Sequence, residues 1–61
     1  MNKRQARIEA LSASARILFT SLESGLDFEV EDKEDVKKLR AAVYEIAERL
    51  EERSLKLEQY T

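Results

Sequence analysis

The sequence predicts an all-α protein, an antiparallel two-helix hairpin over about residues 3–24 and 33–60 that dimerises into a four-helix bundle. Apolar side chains recur at alternating steps of three and four in both arms, which is the spacing of one helix face and is typical of coiled-coil packing. The single glycine lies between the arms, and the chain contains no proline. At 61 residues, one hairpin is too short to bury a stable core alone. We expect one domain, residues 1–61.

The first arm has an apolar seam flanked by many Ala and Ser residues. The resulting face of apolar and small side chains is wider than one neighbouring helix covers, so two neighbours are expected. The seam consists of Ile8, Leu11, Ala15, Leu18 and Leu22.

The connector begins with Gly25, which suits a left-handed cap at the end of helix one. Apolar and acidic residues then alternate, so an extended connector would place Leu26, Phe28 and Val30 on one side. Two interpretations remain open for these three side chains. They close the end of the bundle core, or they form a surface that receives a helix or strand of another protein.

The second arm begins after Asp32, a predicted N-cap that starts helix two near Lys33. Its apolar stripe is interrupted at Arg53. We expect this side chain to be partly exposed, with its aliphatic stem over Ile8. Slipped registers of the bundle would bury its charge and are therefore penalised. The stripe consists of Val36, Leu39, Val43, Ile46, Leu50, Leu57 and Tyr60.

Folding the arms together pairs residues whose numbers add to about 61, which sets Leu22 opposite Leu39 and Ala15 opposite Ile46. Two helices leave half of each apolar face in water, and a second hairpin would cover it. The two seams, without Tyr60, are therefore the predicted oligomer core. The pattern does not distinguish a dimer from a larger assembly.

Composition argues against several kinds of chemistry. The chain contains no His and no Cys, so it lacks the usual ligands of structural zinc and the usual base or thiol of nucleophilic catalysis. Asp27, Glu29 and Glu31 have the first spacings of a calcium loop, but Asp32 and Lys38 occupy the positions of its glycine and its bidentate glutamate. We expect no enzyme activity, cofactor or metal.

The chain shows no sign of a membrane segment, because no apolar run approaches the length of a span. The basic, Ser- and Ala-containing N-terminus has the composition of a mitochondrial presequence, yet the same residues are needed for helix one. A cytoplasmic location is therefore expected.

The N-terminal cations suggest a nucleic-acid interface. Four cations and two acids give residues 1–24 a net charge of +2, whereas six acids and one lysine give residues 25–35 a net charge of −5. Basic ends aligned in a dimer would contact phosphates. The residues concerned are Lys3, Arg4, Arg7 and Arg16.

The layout of two heptad-patterned arms around an acidic connector with Leu26-Asp27 resembles the Rop family of plasmid copy-number regulators. That resemblance implies a dimeric bundle that binds paired RNA loops through its first helices. It extends over the whole chain but only in layout, and the segment Phe28-Glu29-Val30 and the basic N-terminus depart from the family pattern. It assigns no functional residue.

The sequence thus predicts a small, non-enzymatic regulatory or scaffolding protein that acts as a homo-oligomeric bundle. Its expected partners are a second copy of the chain and one other protein. An RNA- or DNA-binding regulator with a Rop-like bundle is the alternative.

Overall fold

The computed structural model describes residues 1–59, which form two helices, α1 (Lys3–Glu23) and α2 (Lys33–Gln59). The helices pack against each other as an antiparallel hairpin measuring 45 × 16 × 15 Å. The predicted hairpin is confirmed: both helices begin at the predicted residues, and helix one ends one residue before the predicted end. Tyr60, the last member of the predicted stripe, lies outside the described residues.

Each helix begins at a polar side chain that satisfies a free backbone amide. The Asn2 Oδ1 accepts a hydrogen bond of 2.7 Å from the Gln5 amide, and the Asp32 Oδ1 accepts one of 2.8 Å from the Glu34 amide. Such caps replace bonds that the first helical turn cannot make internally. The predicted cap at Asp32 is confirmed, and Asn2 is a second cap that the sequence interpretation missed.

The end of α1 is fixed by Gly25, whose φ is 86°. The Leu26 amide donates to the Ser21 carbonyl at 2.8 Å, and the Gly25 amide donates to the Leu22 carbonyl at 3.4 Å. This pair of bonds defines a Schellman motif, which requires a left-handed residue at the position of Gly25. The prediction that glycine ends the first helix is confirmed.

The exposure of the connector's side chains alternates as predicted, but its backbone differs from the predicted extended conformation. Leu26, Phe28 and Val30 are half-buried, while the acidic residues between them are exposed. However, the Val30 amide donates to the Phe28 carbonyl at 2.8 Å, which closes a tight three-residue turn at Glu29. The expectation of a continuously extended connector is therefore wrong.

The contact between α1 and α2 is built mainly from small side chains. Ala47 is 0% exposed, Ala15 is 3% exposed, and Ser54 is buried with its Oγ donating to the Ile8 carbonyl at 3.0 Å. Because these side chains are short, the two backbones approach closely along this line. Together with Ile8 they are the four buried residues of the described chain.

The hydrogen bonds between the two helices stay close to the predicted register, joining residues whose numbers add to 61 or 62, but α2 is rotated from the predicted setting. The predicted partner of Leu22 was Leu39. The side chain that crosses to Leu22 is instead that of Arg40, whose guanidinium donates to the Leu22 carbonyl at 2.6 Å. The same register sets Ala47 opposite Ala15. Leu39 and Ile46, the predicted partners of Leu22 and Ala15, are 37% and 49% exposed. Those two pairings are wrong because the shorter Ala47 and Ser54 side chains let the helices approach on a neighbouring line.

The other residues of the predicted oligomer core have intermediate exposure in the hairpin. Ile8, Ala15 and Ala47 are the apolar residues that the described chain buries. The half-buried members are Leu11, Leu18, Leu22, Val36, Val43, Leu50 and Leu57.

Candidate interaction surface

The line of contact between α1 and α2 divides the hairpin surface into two sides. Successive residues of a helix are turned by about 100°, so Leu39 and Ile46 lie on one flank of this line and Tyr44 and Leu55 lie on the other. The Phe19 ring packs edge to face on Tyr44, with ring centroids 5.5 Å apart. We call the side of Leu39 and Ile46 the apolar side and that of Tyr44 the polar side.

The apolar side carries two exposed large aliphatic residues, Leu39 and Ile46, together with several half-buried ones. Leu18 precedes Phe19 by one residue, which turns it toward the apolar side, and Leu11 lies two helical turns earlier on the same flank. Small residues, Ser14 and Ala42, lie at the edges of this surface and are exposed. Its large members are Leu11, Leu18, Leu39, Val43, Ile46 and Leu50.

A second seam on α2 lies on the flank of the apolar side and was only partly recognised in the sequence. Its members follow one another at steps of four and three, and all of them are exposed in the hairpin. We call this set the exposed stripe. It consists of Asp35, Leu39, Ala42, Ile46, Arg49 and Arg53. Arg53 is exposed as predicted, but the side chain that contacts the Ile8 backbone is Ser54. The periodicity from Asp35 onward was the signal for the rest.

The polar side forms a shallow groove with a floor of small residues. Charged groups of opposite sign line its edges, and Leu55 is 50% exposed beside it. The groove is lined by Ser12, Ala15, Arg16, Glu51, Ser54, Leu55 and Glu58. This mixture contrasts with the aliphatic surface of the apolar side.

Two arginines cap the C-terminal ends of the helices from across the hairpin. The Arg40 guanidinium donates to the Leu22 carbonyl at 2.6 Å and to the Leu26 carbonyl at 3.0 Å. The Arg4 guanidinium donates to the Leu57 carbonyl near the end of α2. Helix C-termini favour cations because their last carbonyls lack intrahelical partners. Arg40 was not predicted as important, since a single arginine on a charged face gives no pattern.

The structure brings together three of the four cations predicted to contact nucleic acid. Lys3, Arg4 and Arg7 line a depression at the open end of the hairpin, beside Leu57. Arg16 instead lines the groove on the polar side. Nine residues separate Arg7 from Arg16, which is two and a half turns, so they lie on opposite flanks of α1. One of the three grouped cations, Arg4, is already bonded within the hairpin.

The residues considered for a partner surface at the connector, Leu26, Phe28 and Val30, are partly covered at the closed end of the hairpin. Across residues 1–59 the structure assembles no group of three acidic side chains suited to holding a metal ion. Neither α1 nor α2 has the length and apolar character needed to cross a membrane.

Comparison of the chain with protein-family models, with curated proteins and with solved structures gives no match. The resemblance to the Rop family therefore rests on layout alone.

Proposed function

We propose that this chain is a small, non-enzymatic interaction protein that works as a homo-oligomeric helical bundle in a regulatory or scaffolding role. The observation that carries the proposal is the uncovered apolar side, where Leu39 and Ile46 are 37% and 49% exposed. A contiguous apolar surface on a small protein marks a site of association. A second hairpin laid on this side would produce a four-helix bundle.

The small size of the hairpin's own core supports self-association. Ile8, Ala15 and Ala47 are the apolar residues buried within the described chain, and two of them are alanines, which contribute little area. A domain of this length needs another source of stability, and the chain has no cysteine for disulfides. Covering Leu11, Leu18 and their neighbours would supply the missing apolar burial.

An interaction role is also supported by what remains outside such a bundle. The polar side would stay accessible, with Tyr44 and Leu55 each 50% exposed and with Leu55 lining a groove edged by charges. Aromatic and aliphatic residues of this kind, surrounded by charged groups, suit a contact with another protein. No cofactor and no catalytic group is needed for this role.

The alternative, RNA or DNA binding by the cations of α1, has weaker support. Arg16 lies on the opposite flank from Arg7, and Arg4 already bonds the Leu57 carbonyl. Retention of structured RNA by the wild type at low salt, lost when Lys3 and Arg7 are changed to glutamine, would favour this alternative.

Sedimentation equilibrium on two matched variants tests the proposal. Ile46 and Leu55 are almost equally exposed aliphatic residues of α2, at 49% and 50%, on opposite sides of the hairpin. We expect the wild type and Leu55→Gln to sediment as dimers at micromolar concentration, whereas Ile46→Gln shifts toward the monomer, because it places a polar group in the interface. A folded wild-type monomer across this range would overturn the proposal.

A further inference from the structure

We propose that the second copy docks antiparallel on the apolar side, with Asp35 of each copy beside Arg53 of the other. This inference rests on the proposed function, because it specifies the orientation of the self-association proposed there. It follows from the distribution of charge along the exposed stripe, which is acidic at one end, apolar in the middle and basic at the other end.

The positions along α2 fit such an arrangement. Asp35 and Arg53 are 18 residues apart, which is five full turns, so they lie on one side of the helix about 27 Å from each other. Leu39, Ala42 and Ile46 lie between them on the same side and are exposed. When a second stripe is placed alongside in the opposite direction, acid meets base at both ends, Ala42 and Ile46 meet in the middle, and Leu39 of each copy comes level with Arg49 of the other.

The middle of the stripe is shaped for close contact. The midpoint between Asp35 and Arg53 is level with Tyr44, so a two-fold axis there sets Ala42 of one copy opposite Ile46 of the other. A small residue facing a large one lets two helices interdigitate. Ser14 on α1 also lies at the edge of the apolar side and is exposed, which leaves room for the neighbouring helix.

In the rest of the hairpin, charge is divided between the two ends in the same way, with cations at the open end and acids at the connector. Arg7 and Lys3 line the depression at the open end, on the flank of the apolar side. The connector region, residues 25–35, carries six acids and one lysine. An antiparallel partner brings each basic open end to an acidic connector end, whereas a parallel partner would bring like charges together at both ends. Charge complementarity of this kind selects orientation.

A charge-swap experiment tests the pairing directly. Asp35→Arg or Arg53→Asp alone places like charges together in an antiparallel dimer, so we expect each to weaken self-association about tenfold at low salt. Mixing the two single variants restores two opposite-charge pairs, so they should form a heterodimer in preference to either homodimer. The double variant should regain wild-type affinity.

The matched control is Glu34→Arg. It also replaces an acid by an arginine in the first turn of α2, but Glu34 lies on the opposite flank from the exposed stripe. It should weaken self-association much less than Asp35→Arg does, because Glu34 adds to the acidic end of the hairpin but has no directly opposed cation. High salt should reduce the differences between all these variants, because the charges are exposed. Equal weakening by Glu34→Arg and Asp35→Arg, or no preference for the heterodimer, would overturn the proposed pairing.

Distances between spin labels report the orientation independently. The chain has no cysteine, so Gln59→Cys and Glu45→Cys each create a single labelling site, both exposed and outside the exposed stripe. In the antiparallel dimer, labels at position 59 should be roughly 45–50 Å apart, whereas labels at position 45, one residue from the two-fold axis, should be far closer together.

The outcomes separate this inference from the function on which it rests. A short distance at position 45 with a long one at position 59 supports the antiparallel dimer. Short distances at both positions would overturn the orientation while leaving self-association intact. No dipolar coupling at position 45 would mean that the chain is a monomer, which overturns both proposals.

Discussion

At the scale of single residues, the hairpin depends on small side chains at the contact between its helices. Ala47 is 0% exposed, and the Ser54 Oγ donates to the Ile8 carbonyl, so this buried hydroxyl has a partner. Within the described chain, no buried side-chain nitrogen or oxygen lacks a hydrogen bond. The contact is therefore close and fully satisfied, and it leaves little room for a larger residue.

Enlarging one of these residues should destabilise the protein. Ala47→Leu forces extra atoms into the contact, so we expect the free energy of unfolding to fall by about 1–3 kcal/mol. Ala41→Leu is the control, because Ala41 is exposed on the same helix, and its effect should stay within about 0.5 kcal/mol. Urea denaturation at one protein concentration measures both. Similar effects of the two changes would show that Ala47 does not lie in a tight contact.

Individual residues of α2 also explain why the sequence predicted the register of the hairpin but not the rotation of α2. Val36, Val43 and Leu50 belong to two different seams, one continuing through Leu39 and Ile46 and the other through Ala47 and Ser54. Both seams have steps of three and four, so periodicity does not distinguish them. The choice depends on how closely the backbones approach, which the small residues allow. Choosing the larger side chains as hairpin partners gave the wrong setting.

At the scale of elements, the ends of the helices are secured by local and cross-hairpin hydrogen bonds. Gly25 acts through its own positive φ, and Asp32 acts by accepting a hydrogen bond from the nearby Glu34 amide. Both effects are local, so both roles were predictable from sequence. Arg4 and Arg40 act on carbonyls far away in the chain, which no local pattern encodes. The turn at Glu29 was missed for a related reason, since alternating hydropathy reports which side a residue faces and not its backbone angles.

The connector can be tested through its aromatic residue. Phe28 is half-buried at the closed end of the hairpin, so Phe28→Ala should lower the free energy of unfolding by about 1–3 kcal/mol, less than the loss at a fully buried aromatic. Glu29→Ala, an exposed neighbour, should change it little. Thermal or chemical denaturation of both variants is the measurement. An unchanged stability for Phe28→Ala would assign Phe28 to a partner surface instead of the bundle end.

At the scale of the whole molecule, the hairpin is long and narrow, 45 × 16 × 15 Å, and its charges are divided between its ends. Such a shape has too little interior to bury many large side chains, which is why Leu39 and Ile46 remain exposed. The proposed antiparallel dimer would cover them and bring opposite charges together at each end. The helical hairpin could be predicted from periodicity, and the proposal of a partner rests first on length, whereas the proposed docking side depends on the rotation of α2.

The central claim, that folding is completed by a second copy, is tested most directly by thermal unfolding over a hundredfold range of protein concentration. If the folded state is a dimer, mass action requires the midpoint temperature to rise with concentration. We therefore expect a rise of several degrees in circular dichroism melts of the wild type, with a smaller rise for Ile46→Gln. A midpoint that does not change with concentration, in a chain that sediments as a folded monomer, would contradict the account.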